Sequence, residues 1–132
     1  ISADGATVNN IHVSGFLHAI DFASDTANTT LTTVDLATNI IGIEKATTAD
    51  VNGLTISGGS ISDGYIGIDF AKATGVGNET DGVASNVDIG GTAFTGLDNK
   101  GIYVETLKDS TIHDITMNDV GQFGAYDPDA ED

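Results

Sequence analysis

Asp21, Glu44 and Asp69 each stand inside a short apolar segment, in Ile20-Asp21-Phe22, Ile43-Glu44-Lys45 and Ile68-Asp69-Phe70. Successive side chains of a strand point to opposite faces, so a residue flanked by inward apolar ones faces out. If these segments stack, the three carboxylates form one outward column, followed by Tyr103 of Ile102-Tyr103-Val104. Like charges one rung apart repel by about 1 kcal/mol per close pair in water. Such a column is therefore a solvated acidic face, a seat for a hard cation such as calcium, or a catalytic carboxylate pair. A second acidic group lies in Asp127-Pro128-Asp129-Ala130-Glu131-Asp132, with four carboxylates in six residues. Calcium is the cofactor that the two groups predict, with Asp21, Glu44, Asp69, Asp127, Asp129 and Glu131 as oxygen donors. That expectation rests on charge, because the chain carries neither the full EF-hand loop pattern nor the Gly-Gly-x-Gly-x-Asp nonapeptide.

Other chemistries find less support. His12, His18 and His113 stand singly and fit no zinc spacing, and no Ser-His-Asp constellation or phosphate loop is present. Tyr65, Phe94 and Tyr103 could offer ring faces to sugars, with Asn78, Asp81, Asp98 and Asn99 bonding hydroxyls. The simpler expectation is that Phe94 packs under its loop and that Tyr103 shields a rung. The chain of 132 residues has 20 acidic residues against four lysines and no arginine, for a net charge of −16. Phosphate binding needs clustered Lys or Arg, so nucleic acid and anionic membrane surfaces are excluded as partners. Every apolar run is broken within a few positions, so no membrane insertion is expected.

The elements that must position these residues are short strands. Apolar triplets recur at Ile11-x-Val13, Val34-x-Leu36, Leu54-x-Ile56, Val87-x-Ile89 and Ile115-x-Met117. Three residues ahead of each is a small or apolar residue (Val8, Leu31, Val51, Ala84, Ile112), and between them lies a polar pair such as Asn9-Asn10 or Thr32-Thr33. A second triplet follows at Ile20-x-Phe22, Ile68-x-Phe70 and Ile102-x-Val104; Ile43 heads the matching segment, where Lys45 breaks the pattern. Gly42, Gly67 and Gly101 directly precede this second element. Two-residue alternation with tight polar corners, repeated at this length, predicts an all-β solenoid of about five coils. The uneven spacing predicts residues looped out at the corners near 57–65, 72–82 and 90–100.

Gly67-Ile68-Asp69-Phe70 and Gly101-Ile102-Tyr103-Val104, each behind an apolar triplet and a turn, resemble the repeats of the right-handed parallel β-helix of the pectin-lyase-like superfamily. The resemblance spans most of the chain and implies that fold. It also implies the company of polysaccharide lyases, glycosidases, epimerases, adhesins and large calcium-associated secreted bacterial proteins. Residues 123–131, Phe-Gly-Ala-Tyr-Asp-Pro-Asp-Ala-Glu, are similar to the Tyr-Gly-Phe-Asp-Pro-His-Glu catalytic segment of bacterial alginate epimerases. That similarity would make Tyr126 and Asp127 proton donor and charge-neutralising group. The family's His is Asp129 here, and one extra residue separates Gly124 from the Asp-Pro pair.

These readings divide the chain into a β-helix module, 1–126, and an acidic tail or linker to a missing continuation, 127–132. The absence of Cys and the acidic, Gly-, Thr- and Asn-rich composition resemble bacterial proteins that work secreted or at the cell surface. The expected role is structural, assembling or adhesive, with calcium, with neighbouring copies or further parts of a longer chain as partners, and with polysaccharide as a ligand. The alternative is an enzyme, a polysaccharide epimerase or lyase, acting through the Asp21/Glu44/Asp69 column or through Tyr126 and Asp127.

Overall fold

The computed structural model describes residues 1–72 and 82–121. The chain winds as a parallel β-solenoid of about four turns, and no helix occurs among the described residues. The first coil runs through β1 (Thr7–Ser14), β2 (His18–Phe22) and β3 (Thr26–Ala27), and the second through β4 (Thr30–Ala37), β5 (Ile41–Lys45) and β6 (Val51–Asn52). The third holds β7 (Thr55–Ser62), β8 (Ile66–Phe70) and β9 (Ala84–Ser85). The fourth holds β10 (Asp88–Gly90), β11 (Ala93–Leu97), β12 (Lys100–Val104) and β13 (Leu107–Lys108), and β14 (Thr111–His113) and β15 (Thr116–Val120) stack on it. Three parallel sheets result. Sheet A orders β1-β4-β7-β10-β14 with β11 and β15 alongside, sheet B orders β12-β8-β5-β2, and sheet C orders β13-β9-β6-β3.

The core is a set of ladders. Val8, Leu31, Ile56, Ile89 and Ile112 stack in one, and Val13, Leu36, Ile61, Phe94 and Met117 in another. Leu31, Ile56, Ile89 and Phe94 are wholly buried. Each inner rung stacks between its counterparts above and below, so truncating one of these wholly buried side chains to Ala costs roughly 2–5 kcal/mol. Sheet B supplies the opposing ladder Ile20, Ile43, Ile68 and Ile102. Glycine precedes Ile43, Ile68 and Ile102 because the sheets approach closely there: a Cβ on Gly67 would lie 2.7 Å from the Phe94 ring, and one on Gly101 2.8 Å from Met117 Cε.

The sequence repeat holds, with two corrections. The structure pairs Leu31 with Ile56 and Leu36 with Ile61, so Leu54-x-Ile56 and Val87-x-Ile89 stack on the first half of the long strand β4, five residues before Val34-x-Leu36. Thr7 pairs with Thr30, Thr30 with Thr55, Thr55 with Asp88 and Asp88 with Thr111, which makes the coils 23, 25, 33 and 23 residues long. Of the three expected loops, 57–65 and 90–100 are largely strand, in β7 and β11. The added length of the third coil lies between β8 and β9, at the remaining expected loop.

Sheet A bends because its strands pass through the left-handed backbone region at fixed places. Five stacked residues, Asn10, Thr33, Gly58, Gly91 and Asp114, all have positive φ in mid-sheet. A second such column, Gly5, Asn28, Gly53, Asn86 and Asp109, precedes the sheet, and a third, Gly15, Thr38, Asp63, Gly96 and Asp119, follows it. Asn, Asp and Gly reach this conformation at little cost, which explains the polar pairs in the sequence. Every non-glycine positive-φ residue among those described belongs to one of the three columns.

Candidate functional site

The carboxylate column forms as the spacing predicts. Asp21 pairs with Glu44, Glu44 with Asp69 and Asp69 with Tyr103 on the outer side of sheet B. Glu44, Asp69 and Tyr103 each have a local partner. Glu44 Oε2 lies 2.6 Å from His18 Nδ1, and Asp69 Oδ1 accepts the Ala71 N–H at 3.1 Å. The Tyr103 hydroxyl donates to Glu105 Oε1 at 2.7 Å, while the Lys100 ammonium sits 4.1 Å from the Tyr103 ring centre. Partial burial pushes the Glu44 carboxyl above the ordinary carboxylate value; His18 opposes this, and the flanking charges of Asp21 and Asp69 reinforce it. A carboxyl raised by burial and flanked by two further carboxyl groups is the electrostatic pattern of a general acid. Among the described residues, no three His, Asp or Glu side chains converge closely enough to hold a metal ion. Tyr126, Asp127, Asp129 and Glu131 lie outside the described residues, as do Asn78 and Asp81.

A second group forms on sheet A. His113 stacks on Gly90, where the imidazole occupies the space a Cβ would take. Its Nδ1 lies 2.8 Å from Asp114 Oδ2 and its Nε2 3.1 Å from Asp88 Oδ1. The bond to Asp114, with the charge of Asp88, raises the imidazole above its ordinary value. Both nitrogens are held by carboxylates, which suits a charged clamp between coils better than a ligand site.

The largest feature that sequence reasoning missed is the corner where sheet A turns into sheet B. Phe16, Leu17, Ile40 and Tyr65 are 60, 61, 52 and 39% exposed there. They are stacked by the backbone: Ile40 N donates to Phe16 O, Ile41 N to Leu17 O, and Tyr65 N to Ile40 O. An apolar stripe thus crosses three coils. Beside it opens a cleft of about 420 Å³ lined by Thr38, Asn39, Ile40, Asp63, Gly64, Tyr65, Gly96 and Asp98. Asn39, 3% exposed, braces the corner: its Oδ1 accepts the Phe16 N–H at 3.0 Å and its Nδ2 donates to Val13 O at 2.9 Å. The signal was present in the chain, because Phe16-Leu17 and Ile40-Ile41 put adjacent apolar residues where alternation ends, and at least one of each pair must face water.

The other expected sugar contacts divide. Tyr65 lines the cleft with Asp98, whereas Phe94 is wholly buried in the sheet A ladder and offers no face. Tyr103 stands outward in the carboxylate column. Comparison with protein-family models, with curated proteins and with solved structures finds no match. The parallel solenoid therefore stands as architecture, and no match carries membership of the pectin-lyase-like or alginate-epimerase families. No described helix is long and apolar enough to cross a membrane.

Proposed function

We propose that the chain is an adhesive solenoid module of a secreted or surface-displayed bacterial protein, which binds carbohydrate at the corner between sheets A and B. The observation that carries this reading is the exposed stripe of Phe16, Leu17, Ile40 and Tyr65 beside a cleft with two carboxylates. Sugar rings present apolar C–H faces and a rim of hydroxyls, so they suit an apolar wall with a few fixed polar groups. A rigid solenoid presents those groups without ordering a loop, which lowers the entropic cost of binding. Affinity electrophoresis against a panel of soluble polysaccharides tests it. Retardation by at least one glycan, lost in Tyr65→Ala with the fold intact, supports the reading; the absence of retardation by all of them defeats it. Running the gels in calcium and in chelator shows whether the ion takes part.

A second reading, a polysaccharide-modifying enzyme, is favoured by the raised Glu44 carboxyl between Asp21 and Asp69. It requires turnover of a polysaccharide into shortened, unsaturated or epimerised product, abolished by Glu44→Gln.

A further inference from the structure

We propose, resting on the carbohydrate-binding reading, that the corner cleft selects sugars bearing a free amine, such as β-linked glucosamine units. The lining residues carry two charges of one sign, Asp63 and Asp98, and no lysine or histidine. Asn39 cannot turn its amide to a ligand, since both ends are committed to the backbone of the neighbouring coil. The charged groups at the cleft can only accept hydrogen bonds, so a ligand must donate, and an ammonium donates with charge as well.

The backbone beneath the two carboxylates is tied to neighbouring coils before any ligand arrives. Asp63 sits in the left-handed column at φ 54°, its N–H donating to Thr95 O at 3.0 Å. The Asp98 N–H donates to Gly64 O at 2.9 Å. Gly96 keeps the floor open: a Cβ there would stand 2.9 Å from Asp63 Oδ1. Gly64 is required for a different reason, because a Cβ on it would meet Asn39 O at 2.1 Å. Ile40 and Tyr65 form the apolar wall against which a pyranose ring lies while its amine reaches the carboxylates. The net charge of −16 adds a long-range pull on cationic glycans and repels uronic acid polymers.

The test measures binding of three short oligosaccharides by calorimetry at low salt: glucosamine oligomers, their N-acetylated counterparts and galacturonate oligomers. The full chain is compared with Tyr65→Ala and with the double variant Asp63→Asn, Asp98→Asn. Asn is tolerated at φ 54°, so the double variant keeps the fold. The expected result is a preference of about tenfold or more for the free amine over the acetylated oligomer. That preference disappears in the double variant, galacturonate does not bind, and Tyr65→Ala weakens both amine and acetyl forms. Equal binding of amine and acetyl forms, still dependent on Tyr65, overturns amine selection and leaves the carbohydrate reading standing. A preference that survives in the double variant reflects net charge alone and also overturns it. No binding of any oligomer, with none on the wider polysaccharide panel, removes both.

Discussion

Lys45 is the register partner of Phe22, so a lysine occupies a core rung of sheet B. It is 1% exposed, and Phe70, wholly buried, holds the matching place in the next coil. The ammonium donates to two carbonyls, Ala46 O and Ala71 O, each at 3.0 Å, and among the described residues it makes no ion pair. Its aliphatic stem fills the ladder while its tip closes the outlet of the coil toward Gly82, where a Cβ would come within 3.3 Å of Nζ.

Stability should therefore respond to Lys45 in two separable ways. Lys45→Ala leaves a void beside Phe22 and loses roughly 2–4 kcal/mol. Lys45→Met fills the ladder without charge and stays within about 1.5 kcal/mol of the wild type at pH 7. Burial holds the lysine below its ordinary value, so the folded state disfavours the charged form, and that penalty fades as pH rises toward 10.5. The wild type should accordingly gain on Lys45→Met between pH 7 and pH 10 in urea denaturation. Parallel pH curves for the two proteins would rule out a buried charge.

Lys45 also marks where the sequence could be read and where it could not. The Gly-Ile-x-apolar strands of sheet B were legible because each occurs once per coil, and their ladder fell where the spacing put it. Sheet A was harder. Its eight-residue strands carry two inward segments separated by a left-handed bend, so either can be mistaken for the other. In β7 the second segment begins with Gly59 where β4 has Val34. Without an apolar residue at that rung the eye moves to Leu54-x-Ile56 and the register slips by five. The cleft was invisible for a different reason: its walls come from Ile40, Tyr65 and Asp98 in successive coils, and only the correct register brings corner residues together.

Glu44 gives a second pH signature, of opposite sign to that of Lys45. Its carboxyl is raised above the ordinary 4.5, mainly by burial, so the folded state penalises the ionised form. The penalty is complete above the raised value and absent below 4.5. Glu44→Gln should thus melt higher than wild type at pH 7, with the advantage shrinking to nothing by about pH 4. An equal advantage at both pH values would place the effect in packing instead of charge.

The His113 clamp makes stability depend on pH near neutrality. Its imidazole is raised above 6.5, first by the bond to Asp114. The folded state therefore holds the proton more tightly, and the stabilisation is full below 6.5 and lost as pH rises through the raised value. His113→Gln should lower the melting temperature at pH 5.5 and leave it unchanged at pH 9. A drop of the same size at pH 9 would show that packing over Gly90 matters and the charged clamp does not.

The left-handed columns contain two residues that fit them poorly. Thr33 has φ 50° and Thr38 φ 56°, and a β-branched side chain is crowded there by its own carbonyl. Their stacked counterparts are the residues that conformation prefers: Asn10 and Gly58 beside Thr33, Gly15 and Asp63 beside Thr38. Both threonines sit at exposed or partly exposed positions, so little packing is lost on replacement. Thr33→Asn and Thr38→Asn should each stabilise the chain by about 0.5–1.5 kcal/mol. The two threonines belong to separate bends five residues apart, so the double variant should add the two gains within a few tenths of a kcal/mol. Urea denaturation of the three variants decides it. Loss of stability in both singles would mean that the threonine hydroxyls or methyls hold the bends, and that the backbone angle is not what limits them.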